Sequence, residues 1–503
     1  MTAPTDIDTL AKGGRTNIAG FALRLLARIP FLFIAGRLYG PDLVGRFALA
    51  VVVVELAALV ATLGLKRGLA QALSAADRPH RCVVWDAMAV AFVASLIASA
   101  VLWCVPQIMY PNTPVTGLDR YLGLVVLGPA LSDVSLAALA YRLNVKAAVT
   151  ARAVVEPWTI SGAAWIFSYI TIRDGLVLSY VVSMIAALTA SLVPFVRSYG
   201  LPRGWSPKPG HLFALARANA PLAGADALEW GTRNVDRFIL GLLFAPKVVG
   251  IYYMAQQVSS LPQKLKTSFD PILGPVITRS LAVRDYAAIA NQVRQVAFWI
   301  MAAQAGLALM GSIPGEAVMG VLGPQFVAGT AALAFLLTAE VLASTGAVCE
   351  SALVYTARLT NLAVSAGMLA FQIGLSFALV FLMRGQGWPT DFQAAGPAVA
   401  LMLSLGLTSV IKAGLLGRIL GASVSPWRWP LVGAVLAAVA VGALFTALPH
   451  RFEWAELALG EPAIAATYLW VLWRYAFGAA DRALFSKMPK EEPTLPHVGA
   501  ITR

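Results

Sequence analysis

Arginine residues stand inside two long apolar stretches of this sequence, where a charged group is costly. Arg24 and Arg28 lie in the first stretch, four residues apart, so that on a helix they share one face. Arg233 and Arg237 lie in a later stretch. An ionisable group inside hydrocarbon costs about 2.5 to 3.5 kcal/mol on insertion scales, and such groups mark binding sites or ion pairs. The chemistry that guanidinium groups offer at these positions is the binding of an anion.

Glu55 supplies a carboxylate in the second apolar stretch. If the first two stretches form antiparallel helices, Glu55 comes to the same depth as Arg28. Two interpretations stay open here: Arg28 and Glu55 form a neutralising ion pair, or Arg28 faces a polar cavity that receives an anion. Arg24 is shallower, and its side chain can extend to the membrane surface.

Charges of both signs form a stripe on the stretch that also carries Arg233. The stripe consists of Asp226, Glu229, Arg233, Asp236 and Arg237, and the next stretch adds Lys264. At 100° per residue the five fall within about a third of a helix circumference, which must face protein or water rather than lipid. One interpretation is a self-compensating network. The other is a carboxylate site for a coupling cation beside a cationic substrate site.

Patterns for catalysis and metal binding are missing from the sequence. It has no G-x-x-x-x-G-K-[ST] phosphate loop, and its four histidines and three cysteines have no metal-ligand spacing. No nucleophile, base and orienting group combine into a catalytic set. We therefore expect no enzyme, no catalytic residue, no metal and no cofactor. Single polar residues in other apolar stretches are expected to bridge helices, namely Asp133, Gln304 and Glu340.

The composition indicates an all-α polytopic membrane protein. Of the 503 residues 59% are hydrophobic and 13% are charged, and the mean hydropathy is +0.74. The net charge of +13 falls mainly in connections and at helix ends, so we expect no nucleic-acid partner. About fourteen transmembrane helices are predicted, at 16–38, 43–66, 83–106, 119–142, 155–172, 176–197, 217–244, 247–277, 292–313, 325–349, 359–383, 394–416, 428–448 and 454–476.

The distribution of basic residues predicts the orientation of these helices. Lys and Arg follow the second, fourth, sixth and eighth stretches, whereas the connections 107–118 and 314–324 contain neither. Because positively charged connections stay in the cytoplasm, both termini are expected there. The first stretch lacks the features of a cleavable signal and is expected to be retained as a helix.

An internal duplication divides the chain. Leu38–Ala50 and Leu243–Ala255 both read L-[YF]-[GA]-P-x-[LV]-V-G-x-[FY]-x-x-A, and the same offset of 205 residues places Arg28 on Arg233. The offset spans an even number of crossings, so the two lobes are parallel repeats. The predicted units are an N-terminal lobe at 1–198, a cytoplasmic linker at 199–211, a C-terminal lobe at 212–418, two appended helices at 419–477 and a disordered cytoplasmic tail at 478–503.

Three segments carry a resemblance to a known family. They are the Leu38–Ala50 turn, Asn234-Val-Asp-Arg-Phe-Ile-Leu-Gly241 running into Pro246-Lys-Val-Val-Gly-Ile-Tyr252, and Val321-Leu-Gly-Pro-Gln-Phe-Val-Ala-Gly329. With these segments the chain resembles the polysaccharide-transport, or Wzx-type, flippases of the multidrug/oligosaccharidyl-lipid/polysaccharide (MOP) exporter superfamily. The resemblance implies two six-helix lobes that form a V around a central cavity, plus two C-terminal helices. It also implies alternating access in a bacterial inner membrane.

The resemblance further implies a cargo and roles for the charged residues. The cargo would be an undecaprenyl-diphosphate-linked oligosaccharide for exopolysaccharide, capsule or O-antigen assembly, with a polymerase and a chain-length regulator as partners beside the lipid bilayer. The diphosphate would be bound by Arg28, Arg233, Arg24, Arg237 and Lys264. Coupling to H⁺ or Na⁺ would involve Asp236 first, then Glu55, Asp226 and Glu229. A lipid II flippase, a multidrug antiporter of the same superfamily and a membrane-embedded polymerase or glycosyltransferase remain as alternatives.

Overall fold

The fold is known from a computed structural model, which describes residues 27–75, 78–266, 277–281, 283–447 and 456–482. Within these ranges the chain is almost entirely helical and contains no strand. The composition therefore predicted the fold class correctly. Nine helical stretches in the described ranges are long and apolar enough to cross a membrane. The other predicted spans fall on helices that are more polar or that contain π-helical turns.

The described part of the N-terminal lobe contains eight α-helices. They are α1 (Ile29–Ile34), α2 (Gly40–Ala61), α3 (Leu65–Ser74), α4 (His80–Cys104), α5 (Leu127–Tyr141), α6 (Val145–Val149), α7 (Glu156–Ser168) and α8 (Gly175–Tyr199). A π-helical turn, Ala35–Tyr39, continues α1 to the repeat turn, and a second, Thr150–Val155, joins α6 to α7. Leu63 and Gly64 have φ of 47° and 76°, so the predicted second helix ends at Ala61 rather than at 66.

The C-terminal lobe repeats this plan with longer helices. It contains α9 (Pro209–Leu243), α10 (Pro246–Lys266), α11 (Tyr286–Ser312), α12 (Gly315–Leu322), α13 (Thr330–Thr356), α14 (Arg358–Gly385) and α15 (Thr390–Leu420). Three helices follow: α16 (Trp429–Thr446), α17 (Glu461–Val471) and α18 (Ala479–Arg482). Helices α16 and α17 pack on each other and on α11. Helix α9 begins eight residues before the predicted start, inside the predicted linker. All five residues of the charged stripe lie on this one helix.

The two lobes meet along α2, α9 and α10. Helix α2 packs closely against α10, and it also contacts α9. One buried apolar cluster extends over both lobes, a second joins the C-terminal lobe to the helices that follow it, and the buried residues of a third lie in the N-terminal lobe. Large apolar side chains such as Ile97, Trp165 and Leu436 are exposed on the outside, as expected for a surface that faces lipid. The lobes therefore touch mainly along the helices that flank the repeat turns.

Candidate functional site

A cavity of about 370 Å³ lies between the lobes and contains three arginines. Helices α1, α2, α7 and α8 form its wall on one side, and α9 and α10 form the other. Arg28 enters from the N-terminal lobe, and Arg233 and Arg237 enter from the C-terminal lobe. We call this space the central cavity. The repeat that relates Arg28 to Arg233 in the sequence thus brings the two guanidinium groups to one site.

The three arginines differ in how far protein partners engage them. Arg233 forms an ion pair with Glu340 of α13, with 2.5 Å between Nη1 and Oε1. Arg237 donates to Asn234 and lies over the ring of Tyr253, 5.5 Å from its centroid. The side chain of Arg28 is exposed in the cavity and has no hydrogen bond or ion pair among the described residues. Of the three arginines, Arg28 is therefore the one that an incoming anion can reach without displacing a partner within the described part of the chain.

Glu55 lines the same cavity but forms no direct ion pair with Arg28. Arg28 and Arg237 line the same space as its carboxylate. A second carboxylate, Glu156, also lines the cavity and is paired with Arg152. The first interpretation, a direct ion pair between Arg28 and Glu55, is thus not what the structure shows. Instead, both side chains face the central cavity.

Asp236 lies outside the cavity wall and is fully buried between α9 and α10. Its Oδ2 accepts a hydrogen bond of 2.5 Å from the Tyr252 hydroxyl, and Gln256 Nε2 lies 3.2 Å from the same oxygen. Gln256 itself lines the central cavity. No described Lys or Arg forms an ion pair with Asp236. Two cavity residues thus contact the buried carboxylate: Gln256 through its side-chain amide, and Arg237 through its backbone amide, which donates to Oδ1 at 2.8 Å.

Asp226 and Glu229 bind a partner in the other lobe. Arg67 of α3 places Nε 2.7 Å from Asp226 Oδ1 and Nη2 2.6 Å from Glu229 Oε2. Asp226 is buried, whereas Arg67 and Glu229 are exposed. The stripe on α9 is therefore compensated partly by a cation from the N-terminal lobe rather than within its own helix. Arg24 and the side chain of Lys264 lie outside the described part of the structure.

A second space of about 560 Å³, which we call the side chamber, extends from the central cavity into the N-terminal lobe. The two share the lining residues Glu55, Glu156, Tyr180, Met184 and Trp230. The chamber wall also contains Lys66, Asp133 and Arg152. Arg152 pairs with Asp133 and with Glu156, and Lys66 Nζ lies 3.2 Å from Asp133 Oδ2.

Sequence reasoning overlooked this cluster because it assigned Arg152 to a connection. The helical path continues from Val145 through the π-helical turn into α7, and this turns Arg152 inward. The available signal was the spacing of four between Arg152 and Glu156, which is typical of helical ion pairs. Lys412 was also overlooked, although it lies inside the predicted span 394–416. It is buried in the C-terminal lobe, 3.2 Å from a Glu350 oxygen and 3.0 Å from the Ser365 hydroxyl.

The end of the molecule that holds the two repeat turns is closed; we call it the turn end. Asn112 Nδ2 donates to the Gly241 carbonyl at 2.9 Å, and Gln325 Nε2 donates to the Gly36 carbonyl at 3.3 Å. Gly36 and Gly241 are 205 residues apart and so occupy equivalent positions. Arg37 also donates to the carbonyls of Gly320 and Val321 in the other lobe. Each lobe thus binds backbone carbonyls of its counterpart.

The chain matches one protein family, over most of the N-terminal lobe and the first helices of the C-terminal lobe. The family described as "Polysaccharide biosynthesis protein" matches residues 34–328, which is more than half of the chain. No curated protein sequence matches the chain. The matched segment contains the side chamber and most of the wall of the central cavity, whereas Arg28, Phe31 and Leu32 of that wall precede it.

Solved structures with the same fold are membrane transporters. The lipid II flippase MurJ in an inward closed conformation has a TM-score of 0.70 at 11% identity, over 91% of this chain and 99% of that chain. A MATE family multidrug resistance transporter of the MOP superfamily, in an inward-facing conformation, has a TM-score of 0.58 at 12% identity, over 83% and 96%. A mutant of the Vibrio cholerae MATE transporter VcmN has 0.54 at 11%, over 83% and 98%. At these identities the likeness establishes the shared fold.

Proposed function

This chain belongs to the polysaccharide biosynthesis protein family, and on that premise we propose that it translocates an undecaprenyl-diphosphate-linked oligosaccharide repeat unit across a bacterial inner membrane. It shares its fold with a lipid II flippase and a MATE family transporter, which supports the assignment of a multi-pass membrane transporter. The repeat unit moves from the cytoplasmic leaflet, where it is made, to the outer leaflet. There a polymerase and a chain-length regulator receive it.

The observation that carries this proposal is the convergence of Arg28, Arg233 and Arg237 on the central cavity. A diphosphate is a compact anion with several acceptor oxygens, and guanidinium groups bind such anions through paired charge-assisted hydrogen bonds. The three arginines come from both lobes, so a bound diphosphate links the two halves that move against each other. A cationic multidrug substrate would meet repulsion at this site, which disfavours the antiporter alternative.

Alternating access follows from how the lobes close on each other. Hydrogen bonds from Asn112, Gln325 and Arg37 close the turn end. The positive-inside distribution assigns this end to the outer face of the membrane and places both termini in the cytoplasm. The arrangement then corresponds to a state closed to the outside, with Arg28 and Arg233 about 15 Å, and Arg237 about 9 Å, below the turn of its own lobe. Breaking the turn-end contacts exposes the cavity to the outer leaflet.

Ion coupling is assigned to Asp236. Its carboxylate is buried and is held by Tyr252, and Gln256 connects it to the cavity. A buried ion without a charged partner is costly, so a cation that binds there stabilises this arrangement. Uptake of H⁺ or Na⁺ at Asp236 would change the hydrogen bond to Gln256 and thereby the wall of the central cavity.

The test is the sidedness of the lipid-linked oligosaccharide in cells that lack this protein. We expect extracellular polysaccharide to be lost while intact repeat units accumulate on the cytoplasmic leaflet. Repeat units that accumulate on the outer leaflet would instead indicate a failed polymerisation step. Unchanged glycans would contradict the proposal and favour drug export. Rescue of a strain depleted of its lipid II flippase would assign lipid II as the cargo.

A further inference from the structure

The side chamber differs from the central cavity in its electrostatics. Its two cations, Lys66 and Arg152, are already held by carboxylates: Asp133 binds both, and Glu156 binds Arg152. Glu55 adds a further negative charge at the junction with the central cavity. An anion would therefore have to break ion pairs to bind in the chamber, whereas Arg28 in the central cavity is open to it.

The chamber nevertheless offers many polar atoms to an uncharged ligand. The carboxylate oxygens of Asp133, Glu156 and Glu55 have acceptor positions beyond those used in ion pairs, because each oxygen has two lone pairs. Lys66 and Arg152 have N–H groups left to donate. A volume of about 560 Å³ lies in the range of small-molecule sites. This chemistry matches a ligand that is rich in hydroxyl groups and carries no negative charge.

Aromatic faces complete the match at the junction of the two spaces. Trp230 and Tyr180 line both the chamber and the central cavity. The Trp230 ring is held by an edge-to-face contact with Phe238, with 6.0 Å between the ring centroids. A sugar ring has an apolar face of C–H groups, which an aromatic face of this kind can cover. A sugar that extends from the arginines into the chamber must pass Trp230.

We propose that the side chamber binds the sugars next to the diphosphate, and that it selects uncharged sugars over acidic ones. This inference rests on the proposed function, since it assumes a diphosphate at Arg28, Arg233 and Arg237. The sugars accept hydrogen bonds from Lys66 and Arg152 and donate to the carboxylates. A uronic acid in the same place would face Glu55, Asp133 and Glu156, so like-charge repulsion excludes it.

The experiment compares three probes on the full-length protein purified in detergent. They are farnesyl diphosphate, the same diphosphate linked to an N-acetylglucosamine disaccharide, and the same diphosphate linked to a glucuronic-acid-containing disaccharide. We expect the neutral sugars to tighten binding by about tenfold or more, as expected for one or more hydrogen bonds to charged groups. The acidic disaccharide should give no gain over farnesyl diphosphate.

Filling the chamber separates its role from that of the arginines. Ala140→Phe places a large ring in the chamber wall at an exposed position. Ala148→Phe places one in the same wall from another helix. In either variant, neutral sugars should no longer tighten binding, whereas the affinity for farnesyl diphosphate should stay the same. The retained affinity also shows that the variant is folded. Ala100→Phe, at an exposed position of α4 outside the chamber, is the control. It should keep the affinity for farnesyl diphosphate and the tighter binding of neutral sugars.

The outcomes distinguish this inference from the proposed function. Tight binding of farnesyl diphosphate with no gain from neutral sugars, or an equal gain from acidic ones, overturns the inference alone. Full retention of the gain in both filled variants overturns it as well. Absence of farnesyl diphosphate binding in the unmodified protein overturns the proposed function, and the inference with it.

Discussion

Gly45 and Gly250, at equivalent positions of the two repeats, lie against each other across the lobe interface. A Cβ added to Gly45 would lie 1.8 Å from the Pro246 carbonyl oxygen and 2.9 Å from the Gly250 nitrogen. A Cβ added to Gly250 would lie 2.0 Å from the Pro41 carbonyl oxygen and 2.8 Å from the Gly45 nitrogen. The contact is reciprocal, and it brings α2 and α10 together backbone to backbone. The glycine in the repeat motif is therefore required by the approach of the lobes.

Substituting either glycine should open the turn end. Gly45→Ala or Gly250→Ala forces the backbones apart, at a steric cost of about 1 to 3 kcal/mol. A cost of that size shifts the balance between closed and open lobes by roughly 5 to 150-fold. Spin labels at Gln107 and Gln386, in a chain whose three cysteines are replaced, should report a longer distance across this end. Gly162→Ala, with nothing within 4 Å of an added Cβ, should leave the distance unchanged.

Substitution of Arg28 should weaken diphosphate binding without a loss of stability, in contrast to Arg233 and Arg237, which also bind other residues of the protein. Its side chain has no described partner, so Arg28→Ala removes a ligand contact and leaves the protein's own contacts intact. We expect affinity for farnesyl diphosphate to fall by about tenfold or more. The melting temperature should stay the same. Arg28→Lys should restore part of the affinity, since it keeps the charge but not the planar fork. Arg358→Ala, at an exposed position of α14, is the control. Equal affinity in Arg28→Ala would remove this residue from the site.

The sequence predicted the helices and the repeat because both depend on local pattern. Apolar runs locate the helices, and the offset of 205 residues relates Arg28 to Arg233, which both line the central cavity. The partners of the charged residues could not be predicted in the same way, because they depend on how the lobes dock. Arg67 looked like an ordinary residue of a basic connection, yet it reaches Asp226 and Glu229 in the other lobe.

Local irregularities explain the remaining differences. The sequence pattern near Thr150 does not predict a π-helical turn. Because of this turn, Arg152 faces the side chamber. The segment from Gly478 was predicted to be a disordered tail because it is polar and leads into several prolines. Its first residues instead form α18, where Asp481 accepts hydrogen bonds from Trp299 and Arg428 in two other parts of the chain and from the Gly478 amide.

Arg67 should act as a latch at the end opposite the repeat turns. The exposed pair with Glu229 contributes about 0 to 1 kcal/mol, but Arg67→Ala also removes the cation beside the buried Asp226 carboxylate, so it should lower the melting temperature. Because the pair joins the two lobes, the same energy should bias the equilibrium between their closed and separated states at this end. Glu229→Arg in an Arg67→Glu background should restore the contact. Cysteine cross-linking between α3 and α9 measures the separation, and equal cross-linking in all variants would contradict a latch.

Asp481 should stabilise the C-terminal helices. It is buried, and it accepts hydrogen bonds from Arg428 Nη1 at 2.5 Å, Trp299 Nε1 at 2.9 Å and the Gly478 amide at 2.7 Å. Asp481→Asn removes the charge that faces Arg428 and should cost about 1 to 3 kcal/mol. Thermal unfolding of the purified protein measures this loss. Asp391→Asn, at an exposed position of α15, should unfold at the original temperature.

Asp236 should couple transport to an ion gradient, and two variants distinguish that role from a structural one. Asp236→Asn keeps the size of the side chain and a bond to Tyr252 but cannot bind a coupling cation through its charge. In proteoliposomes it should move substrate down its own gradient and ignore an imposed H⁺ or Na⁺ gradient. Tyr252→Phe removes a hydrogen bond worth about 1.5 to 3 kcal/mol but keeps the carboxylate, so it should lower the melting temperature and keep the gradient response. If both variants only lose stability and both respond to the gradient, Asp236 is a bridge between α9 and α10, and the coupling site lies elsewhere.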